Sequence, residues 1–413
     1  MVANRIKRGS SERLARNGYD YPCENLRNEK GGCMQYRTLG KTGLKVSEIG
    51  FGGEWMDGTP EEARAVVDAC EEAGINLLDV WMPDPTRRSN LGDALVGRRD
   101  KWIIQGHLGS TWQDGQYVRT RELEPVKAAF QDLLDRFHTD YIDLGMIHFV
   151  DKTDEYRQIM EGPFMEYMRE LRAAGTVRHV GLSTHNPEVA KLAAAEPQIE
   201  MIMFSLNPAF DMLPASDNIE DLFGDYAAEG LDGINADRAE LYALCEQTNT
   251  GLTVMKPYAG GRLFDAATSP FGVALTPVQC IHYALTRPAV ASVLPGFSTP
   301  QHVVDAVAYE DSSADERDYA SVLASAPKNA YFGQCTYCGH CAPCTVGINI
   351  AMVNKYYDLA VMHDGVPDSL REHYRALDVT ASECTACEAC EERCPFGVKI
   401  ASKMAKAQEL FGC

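Results

Sequence analysis

The chain has no apolar run long enough to cross a bilayer, and its N-terminus lacks the apolar core of a secretory signal peptide. Basic residues are also scarce, because 39 lysines and arginines stand against 59 aspartates and glutamates and give a net charge of −20. Such an excess of negative charge repels phosphate backbones and anionic lipid surfaces. We therefore expect neither nucleic acid nor a membrane as a partner.

Cysteine, in contrast, is abundant, and eight of the 14 cysteines form two tight runs near the C-terminus. The runs CTYCGHCAPC and CTACEACEERCP contain Cys335, Cys338, Cys341 and Cys344, and Cys384, Cys387, Cys390 and Cys394. The second run has the C-x2-C-x2-C-x3-C-P spacing that binds a cubic iron–sulfur cluster. Eight such cysteines predict two 4Fe-4S clusters, with the fourth cysteine of each run ligating the other cluster. The first run departs from the pattern, with Thr345 in place of proline.

Zinc ribbons and disulfide bonds are the two other uses of such cysteines. A zinc ribbon takes four cysteines per metal and rarely places a third cysteine three residues later with Cys-Pro after it. Disulfide bonds are disfavoured because nothing else in the chain is typical of a secreted protein. Oxygen-sensitive clusters favour a reducing cytoplasm as the location of the protein.

Four segments are predicted along the chain. Residues 1–33 are polar, basic and without a clear period, which is typical of a disordered arm. The Glu-Lys-Gly-Gly sequence just before Met34 suggests the hypothesis that translation starts at this methionine. Residues 34–310 form the main domain, 311–330 a linker helix, and 331–413 a ferredoxin-like, α-helical iron–sulfur domain.

The main domain alternates short apolar runs with helical stretches. After a hairpin signal over 36–49, eight apolar runs follow: SEIGFGG, NLLDV, KWIIQGHLG, YIDLGMIH, VRHVGLSTH, MIMFSLN, GLTVMKPYAGG and VASVLPGFS. Near-continuous apolar strands separated by helices indicate a buried parallel sheet. Eight such units predict an α/β fold of the (β/α)8 TIM-barrel type. The long span from Pro208 to Asp237 is expected to form a lid.

Polar side chains stand where several of these strands end. Asp79 follows the second strand, with Asp84 five residues later, while His107, His148 and His185 follow the third, fourth and fifth strands. Any one of them alone is more often a hydrogen-bonded rim residue. Because barrel enzymes place their chemistry at the carboxyl ends of the strands, several on consecutive strands predict a shared site.

The chain resembles the aldo/keto reductases, and within them the branch with a C-terminal ferredoxin-like domain. The resemblance covers residues 34–413 and rests on RTLGKTGLKVSEIGFGG, DLLDRFHTDYIDLGMIHFVD, GTVRHVGLSTHNPE, MKPYAGGRL and LPGFSTPQHV. It implies a tetrad of Asp, Tyr, Lys and His that protonates a carbonyl while a nicotinamide delivers hydride. Asp79 and His148 match the aspartate and histidine. Asp84 stands in place of the tyrosine, and His107 in place of the lysine.

These two replacements change the expected proton chemistry. An aspartate is ionised at neutral pH unless burial or a neighbouring carboxylate raises its pKa, so Asp84 is a poor acid. Histidine serves as acid or base near neutral pH. We expect His107 or His148 to transfer the proton, with Asp79 and Asp84 as orienting or charge-stabilising partners. The alternative is an offset of the loop around Met82 and Pro83, which would leave Asp84 outside the site.

The resemblance also implies a nicotinamide site. The implied contacts are Ser183 at the amide and Lys256, Pro257, Gly296 and Ser298 at the phosphate loops. Met203, Met255 and Phe297 differ from the residues common in the family, and Phe297 replaces the basic residue that often binds the 2′-phosphate. NADH and NADPH are therefore alternatives.

Three hypotheses for function follow. The first is an oxidoreductase acting on a small carbonyl or related substrate, with a ferredoxin-like protein as electron donor or acceptor. The second is a redox-neutral lyase or isomerase, or a hydrolase assisted by a divalent metal on the Asp/His set, with structural clusters. The third, a non-catalytic electron carrier, is disfavoured because a ferredoxin does not need eight barrel strands.

Overall fold

The computed structural model describes residues 34–223, 233–326, 331–362 and 365–412. The expected N-terminal arm, residues 1–33 upstream of Met34, lies outside the described residues. Part of the expected lid, residues 224–232, also lies outside them. Within the described part of the chain, no helix combines the length and the apolar character that crossing a membrane requires.

Eight parallel strands form one sheet. These strands are β3 (Phe51–Gly52), β4 (Leu77–Val80), β5 (Ile103–Leu108), β8 (Ile142–Ile147), β9 (Val177–Thr184), β10 (Met201–Ser205), β11 (Gly251–Met255) and β12 (Val290–Val293). Their order in the sheet is β12-β11-β10-β9-β8-β5-β4-β3. Two parallel bridges, Ile49 to Val293 and Gly52 to Gly296, join the first strand to the last. The predicted eight-stranded barrel is therefore confirmed.

A short antiparallel hairpin covers the N-terminal end of the barrel. It consists of β1 (Tyr36–Thr38) and β2 (Lys45–Ser47), as the sequence predicted. Leu39 and Val46 are fully buried among the side chains that fill the barrel interior. Gly40 permits this close approach, because a Cβ there would lie 2.2 Å from the backbone nitrogen of Gly251.

Helices surround the barrel: α1 (Pro60–Glu72), α2 (Pro85–Ala94), α3 (Leu123–Arg136), α4 (Thr153–Glu161), α5 (Pro163–Ala174), α6 (Pro187–Ala195), α7 (Ala236–Gln247), α8 (Pro277–Leu285) and α9 (Pro300–Asp311). Local sequence fixes several of their ends. Thr59 and Glu62 form a capping box at α1, and Thr276 and Gln279 form one at α8. Gly175 ends α5 with a left-handed φ of 77°.

The linker helix is shorter than expected. The structure has α10 only over Tyr319–Ala324, and residues 327–330 lie outside the described part. The chain between α9 and α10 instead makes turns, in which Arg317 donates to the Ser312 hydroxyl and the Tyr309 carbonyl. Asp318 then caps α10 by accepting from the Ser321 amide. These local bonds interrupt the helical pattern that the sequence suggested.

The C-terminal segment is helical, with α11 (Ile350–Ala360), α12 (Asp368–Arg375), α13 (Ala389–Glu392) and α14 (Ile400–Phe411). It packs on the outside of the barrel through buried polar contacts. The Thr336 carbonyl accepts from the Arg287 guanidinium and from the Tyr319 hydroxyl. The Tyr331 hydroxyl donates to the Pro208 carbonyl at 2.6 Å, just after β10. The cysteine-rich segment is thus anchored to the barrel wall.

Side-chain alternation along the strands positions the site. Leu77 lies in the barrel interior, and so does Ile103, whose strand continues through Gln105 to His107. Because side chains alternate between the two faces of a strand, Asp79 and His107 also point inward. They lie above the apolar filling, at the carboxyl ends of β4 and β5. This is the end of a barrel that carries chemistry.

Candidate functional site

A cavity of about 450 Å³ opens at the carboxyl ends of the barrel strands. Ten of the barrel residues singled out in the sequence line it: Asp79, His107, His148, Ser183, His185, Met203, Met255, Lys256, Pro257 and Gly296. Asp84, Phe297 and Ser298 do not line it. The structure therefore brings together side chains from β4, β5, β9 and the segments after β8, β11 and β12.

Asp79 lines this cavity and is 1% exposed. One of its carboxylate oxygens accepts from the Gln105 amide at 2.6 Å and lies 3.0 Å from His107 Nε2. The Gln105 carbonyl oxygen accepts in turn from Thr253 across the barrel at 3.2 Å. These bonds satisfy a buried carboxylate that would otherwise be costly to remove from water.

His107 and His148 are in direct contact. Their Nδ1 atoms lie 2.8 Å apart, and their rings meet edge to face at a centroid separation of 5.0 Å. Burial lowers the pKa of His148 well below its usual value, and the nearby His107, Arg121, His185 and Arg119 lower it further. His148 is therefore a neutral imidazole at neutral pH.

Tyr117 enters the cavity from an element that the sequence analysis missed. After β5 the chain forms a hairpin of β6 (Ser110–Gln113) and β7 (Gln116–Arg119). Its turn residues Asp114 and Gly115 both have positive φ, at 51° and 77°. The Asp-Gly pair between alternating residues is a strong hairpin signal, and it could have revealed this element.

The hairpin places the Tyr117 hydroxyl 2.9 Å from His148 Nε2. The Tyr117 ring packs edge to face against Trp81, whose ring stacks on His148 at 5.8 Å. Burial raises the pKa of the Tyr117 phenol, although Arg119 and Arg121 oppose this shift. The phenol thus remains protonated over the physiological pH range.

Asp151 holds His185 at the side of the cavity. One Asp151 oxygen lies 2.9 Å from His185 Nδ1, and the other accepts from the backbone amide of His185 at 2.7 Å. His185 Nε2 is buried and has no hydrogen-bond partner within the described chain. Burial lowers the pKa of His185 despite the nearby carboxylate. The imidazole therefore favours its neutral form.

The eight cysteines of the two runs surround two small cavities. Cys344 lines one of them together with Cys384, Cys387 and Cys390. Cys394 lines the other with Cys335, Cys338 and Cys341. Each set of four thus takes three cysteines from one run and the fourth from the other run. Four thiolate donors around one cavity fit a cubic iron–sulfur cluster.

Family comparisons agree with both parts of this structure. Residues 48–276 match the aldo/keto reductase family, and residues 331–398 match the 4Fe-4S dicluster domain. The chain belongs to the aldo/keto reductase family. An iron–sulfur segment follows the family domain at its C-terminus.

Individual relatives match less than half of this chain. The chain is 31% identical over 185 residues to the uncharacterized oxidoreductase YqkF of Bacillus subtilis, a match covering 44% of this chain and 58% of YqkF. It is 26% identical over 172 residues to L-glyceraldehyde 3-phosphate reductase of Escherichia coli, covering 39% of this chain and 48% of that one. The chain thus spans about half the length of the curated relatives it matches.

Solved structures share the barrel. The holo form of aldo-keto reductase AKR11C1 from Bacillus halodurans aligns with a TM-score of 0.53 at 25% identity, over 73% of this chain and 99% of that one. An aldo-keto reductase from Klebsiella pneumoniae, solved in complex with NADPH, aligns with a TM-score of 0.51 at 17% identity. That alignment covers 71% of this chain and 95% of the other, and it shows the fold alone.

Asp84 caps a helix and does not line the cavity. The residue that stands in place of the family's tyrosine is the N-cap of α2, where its carboxylate accepts from the amides of Thr86 and Arg87 at 2.9 and 3.0 Å. This geometry corrects the expectation that Asp84 supports the reacting groups. The Met82-Pro83 segment turns the chain into α2 and keeps the carboxylate outside the cavity.

The residues expected at a nicotinamide show a similar division. Ser183 accepts from the Phe149 amide at 2.8 Å and lines the cavity, as Gly296 does. A Cβ at position 296 would lie 2.6 Å from Trp55 Nε1, so this rim needs glycine. Ser298 is exposed and bonds His302 instead. Ser298 therefore lies outside this cavity, and its contact with a nucleotide phosphate stays a prediction.

Lys256 brings a positive charge into the cavity. Its backbone has a φ of 56°, and burial lowers the pKa of its amine while Glu54, Asp151 and Asp79 raise it. A cationic amine on a glycine-bounded cavity suits an anionic part of a nucleotide. These residues therefore fit a nicotinamide nucleotide.

The proposed divalent-metal site does not assemble. Among the described residues, no group of three His, Cys, Asp or Glu side chains is arranged to hold a single metal ion. The members of the Asp/His set are instead bonded elsewhere: His107 contacts Asp79 and His148, His185 contacts Asp151, and Asp84 caps a helix.

Proposed function

We propose that the protein transfers a hydride and a proton between a nicotinamide nucleotide and a small carbonyl compound in the barrel cavity. The observation that carries this proposal is the hydrogen-bonded series Asp79, His107 and His148, which ends at the cavity. It supplies a proton path where the family's lysine is missing. The tetrad of this chain is therefore atypical, with His107 in place of the lysine.

The shape and lining of the cavity support a small substrate. Its volume of about 450 Å³ is in the lower part of the range for ligand sites. Trp81, Phe149 and Ile219 supply apolar walls, while the acid and base groups cluster on one side. An aldehyde or ketone can place its carbonyl oxygen toward that side and its carbon skeleton against the aromatic wall.

A nicotinamide supplies the hydride when it is bound. Ser183, Pro257 and Gly296 would contact it, and the Lys256 amine would offset negative charge on the nucleotide. Phe297 is buried and stacks on Phe51 at 5.6 Å, so it offers no cation to a 2′-phosphate. NADH and NADPH are both to be tested.

Two 4Fe-4S clusters are the proposed redox partners of this cavity. The first would be held by Cys335, Cys338, Cys341 and Cys394, and the second by Cys344, Cys384, Cys387 and Cys390. Thr336, beside the first set, accepts from Arg287 of the barrel wall. Cys387 of the second set is exposed, which would let a ferredoxin-like protein exchange electrons there.

An anaerobic titration tests this function. Purified protein is titrated with NADH and with NADPH while nucleotide fluorescence and cluster absorbance are followed together. Carbonyl reduction is then assayed with 4-nitrobenzaldehyde, methylglyoxal and pyruvate. We expect saturable binding of one nucleotide and turnover of at least one carbonyl. Binding of neither nucleotide would overturn the proposal.

The electron path is tested in the same preparation. A redox link between cavity and clusters predicts that the bound reduced nucleotide bleaches the cluster absorbance. Cys384→Ala should abolish the bleaching of one cluster while leaving nucleotide binding intact, because Cys384 lines a separate cavity and not the barrel cavity. Carbonyl turnover without any bleaching would show that the clusters are not electron carriers for this reaction.

A further inference from the structure

The hydrogen-bonded series Asp79, His107 and His148 ends next to a tyrosine that the family pattern does not contain. Tyr117 comes from the β6–β7 hairpin, whereas the family's tyrosine would follow Asp79 by five residues, where Asp84 stands. The Tyr117 hydroxyl lies 2.9 Å from His148 Nε2 and lines the same cavity. The site therefore contains a phenol, which comes from a different part of the chain than the family's tyrosine.

Hydrogen-bond geometry allows two complete arrangements of protons along this series. In the first, the Tyr117 hydroxyl donates to His148 Nε2, His148 Nδ1–H donates to His107 Nδ1, and His107 Nε2–H donates to Asp79. Both imidazoles are then neutral. Every contact has one donor and one acceptor, as the inventory of these groups requires.

The second arrangement holds one more proton and reverses two of the bonds. His107 carries protons on both nitrogens and pairs as a cation with the Asp79 carboxylate at 3.0 Å. His107 Nδ1–H donates to His148 Nδ1, and His148 Nε2–H donates to the Tyr117 oxygen. The Tyr117 hydroxyl proton is then free to point into the cavity. His148 is neutral in both arrangements and changes only its tautomer.

We propose that Tyr117 is the catalytic acid of this enzyme, and that His148, His107 and Asp79 reload it with a proton. The proposal rests on the function proposed above and specifies its proton donor. It goes beyond the expectation that a histidine meets the substrate, because the hydrogen-bonded series continues from His148 to a phenol that also lines the cavity.

The proposed step balances as follows. A bound reduced nicotinamide would supply the hydride, with its electron pair, to the carbonyl carbon and would be oxidised in doing so. The carbonyl oxygen takes the proton of Tyr117. The Tyr117 oxygen takes the proton of His148 Nε2, and His148 Nδ1 takes that of His107 Nδ1. The product is an alcohol, and His107 has lost one proton, which solvent later restores.

The environment of the hairpin holds the phenol in place. Arg119 donates to the Phe149 carbonyl at 2.9 Å, and Arg121 donates to the carbonyls of His148 and Phe149 at 2.7 and 3.0 Å. The Ser110 hydroxyl donates to the Trp81 carbonyl at 2.7 Å. The hairpin is thus fixed to the segments that also carry His148 and Trp81. Such fixed positioning is what a proton donor needs.

The test compares Tyr117→Phe with the wild-type holoprotein. We expect kcat to fall by about 10²- to 10⁴-fold, the usual contribution of a general acid, with nucleotide affinity unchanged. Tyr167→Phe is the matched control. Its half-buried ring lies on α5 against Lys127, and removing its hydroxyl should leave kcat unchanged.

A second readout does not depend on turnover. In protein with ¹⁵N-labelled histidine, NMR reports which ring nitrogen of His148 carries the proton. Tyr117→Phe removes the hydroxyl at Nε2, so the ¹⁵N signal of that nitrogen should shift, while Tyr167→Phe should leave it in place. An unchanged His148 signal in Tyr117→Phe would overturn the proposed series.

The outcomes separate the two proposals. Wild-type protein that reduces carbonyls, with Tyr117→Phe equally active, would overturn the role of Tyr117 and leave the proposed function intact. Wild-type protein that binds no nucleotide and reduces none of the carbonyls would overturn both. A deep loss of kcat with unchanged nucleotide affinity and a shifted His148 signal supports both.

Discussion

His107 and His148 face each other through their Nδ1 atoms at 2.8 Å, in the buried mouth of the barrel. Only one of these two nitrogens can carry the proton between them, so the tautomer of one ring determines that of the other. Asp79 fixes the far side of His107, and Tyr117 meets the far side of His148. The imidazoles of His107 and His148 thus form a coupled pair that can hold and release a proton, in a site that lacks the family's lysine.

The first prediction concerns His107. Glutamine at this position keeps hydrogen-bonding atoms but cannot hold the transferable proton, so we expect His107→Gln to lower kcat by about 10²- to 10³-fold. Nucleotide affinity, measured by fluorescence, should not change. His138→Gln is the control, because His138 is exposed and bonds only Asp93 in the outer turn after α3. Wild-type kcat in His107→Gln would contradict a role in proton transfer.

The second prediction concerns coupling along the series. Residues that act as one unit lose their effect together, so the double variant His107→Gln/Tyr117→Phe should be no slower than the slower single variant. Independent roles would instead multiply the two losses. Steady-state kcat for the two single variants and the double variant decides between these outcomes.

The third prediction concerns Asp84. Because its carboxylate caps α2, Asp84→Ala should lower the free energy of unfolding by about 1 kcal/mol. Asp84→Ser keeps an N-cap acceptor and should recover most of that loss. Both variants should keep wild-type kcat, because the side chain does not line the cavity. Urea unfolding measures the change in stability, and steady-state kinetics measure kcat. A large fall in kcat for Asp84→Ser would contradict the conclusion that Asp84 lies outside the site.

The fourth prediction concerns the crossed cysteine sets. If each cluster takes its fourth ligand from the other run, Cys394→Ala should weaken the cluster on Cys335, Cys338 and Cys341 and spare the other one. Iron content should then fall from about eight toward about four per chain.

The control for the cluster prediction is Cys280→Ala. Cys280 is buried on α8 and lies outside both cysteine-lined cavities, so about eight irons should remain. Iron analysis is paired with electron paramagnetic resonance of the reduced protein. A spectrum of Cys394→Ala that shows damage to the cluster on Cys384, Cys387 and Cys390 would contradict the crossing.

The fifth prediction concerns pH and stability. His282 on α8 packs against Tyr309 and Tyr319, and burial lowers its pKa from 6.5 to about 4. The unfolded chain binds this proton below pH 6.5 and the folded protein does not, so stability is lost as the pH falls from 6.5 toward 4. Between pH 7 and pH 5 the loss due to His282 is about 2 kcal/mol.

His282→Gln removes the titrating group and should make the pH dependence of the unfolding free energy shallower by that amount. Urea unfolding at both pH values, for the variant and the wild type, gives the comparison. Contributions from other groups and from the clusters are common to both proteins and cancel. Equal pH slopes for the two proteins would contradict the assignment.

Much of the fold is readable in the sequence because its signals are local. Runs such as NLLDV and YIDLGMIH are apolar over consecutive residues, which only a strand covered on both faces tolerates, and eight of them in alternation with helices leave few architectures. Thr59 and Thr276 mark helix starts through bonds to residues three positions away. Asp79, His107 and His148 could be singled out because strand ends in a barrel meet at one rim.

Other features depend on contacts between distant parts of the chain. Tyr117 contacts His148 because the β6–β7 hairpin folds back over the mouth of the barrel. Asp84 lies outside the site because its carboxylate bonds the first turn of α2. The linker shortens because Arg317 and Asp318 make bonds that compete with a helix. Spacing alone reports which residues follow a strand, but not which way their side chains turn.

The sequence by itself thus determined the eight strands, the two cysteine runs and the missing family tyrosine and lysine, because each is written in residue types at short spacing. The tertiary structure decided which groups meet: Cys394 with the first cysteine run, His107 with His148, and Tyr117 with both the cavity and the histidines. The physical reason is that hydrogen bonds and ligand sets form within a few ångströms in space, and closure of the barrel brings together residues that are many positions apart in the chain.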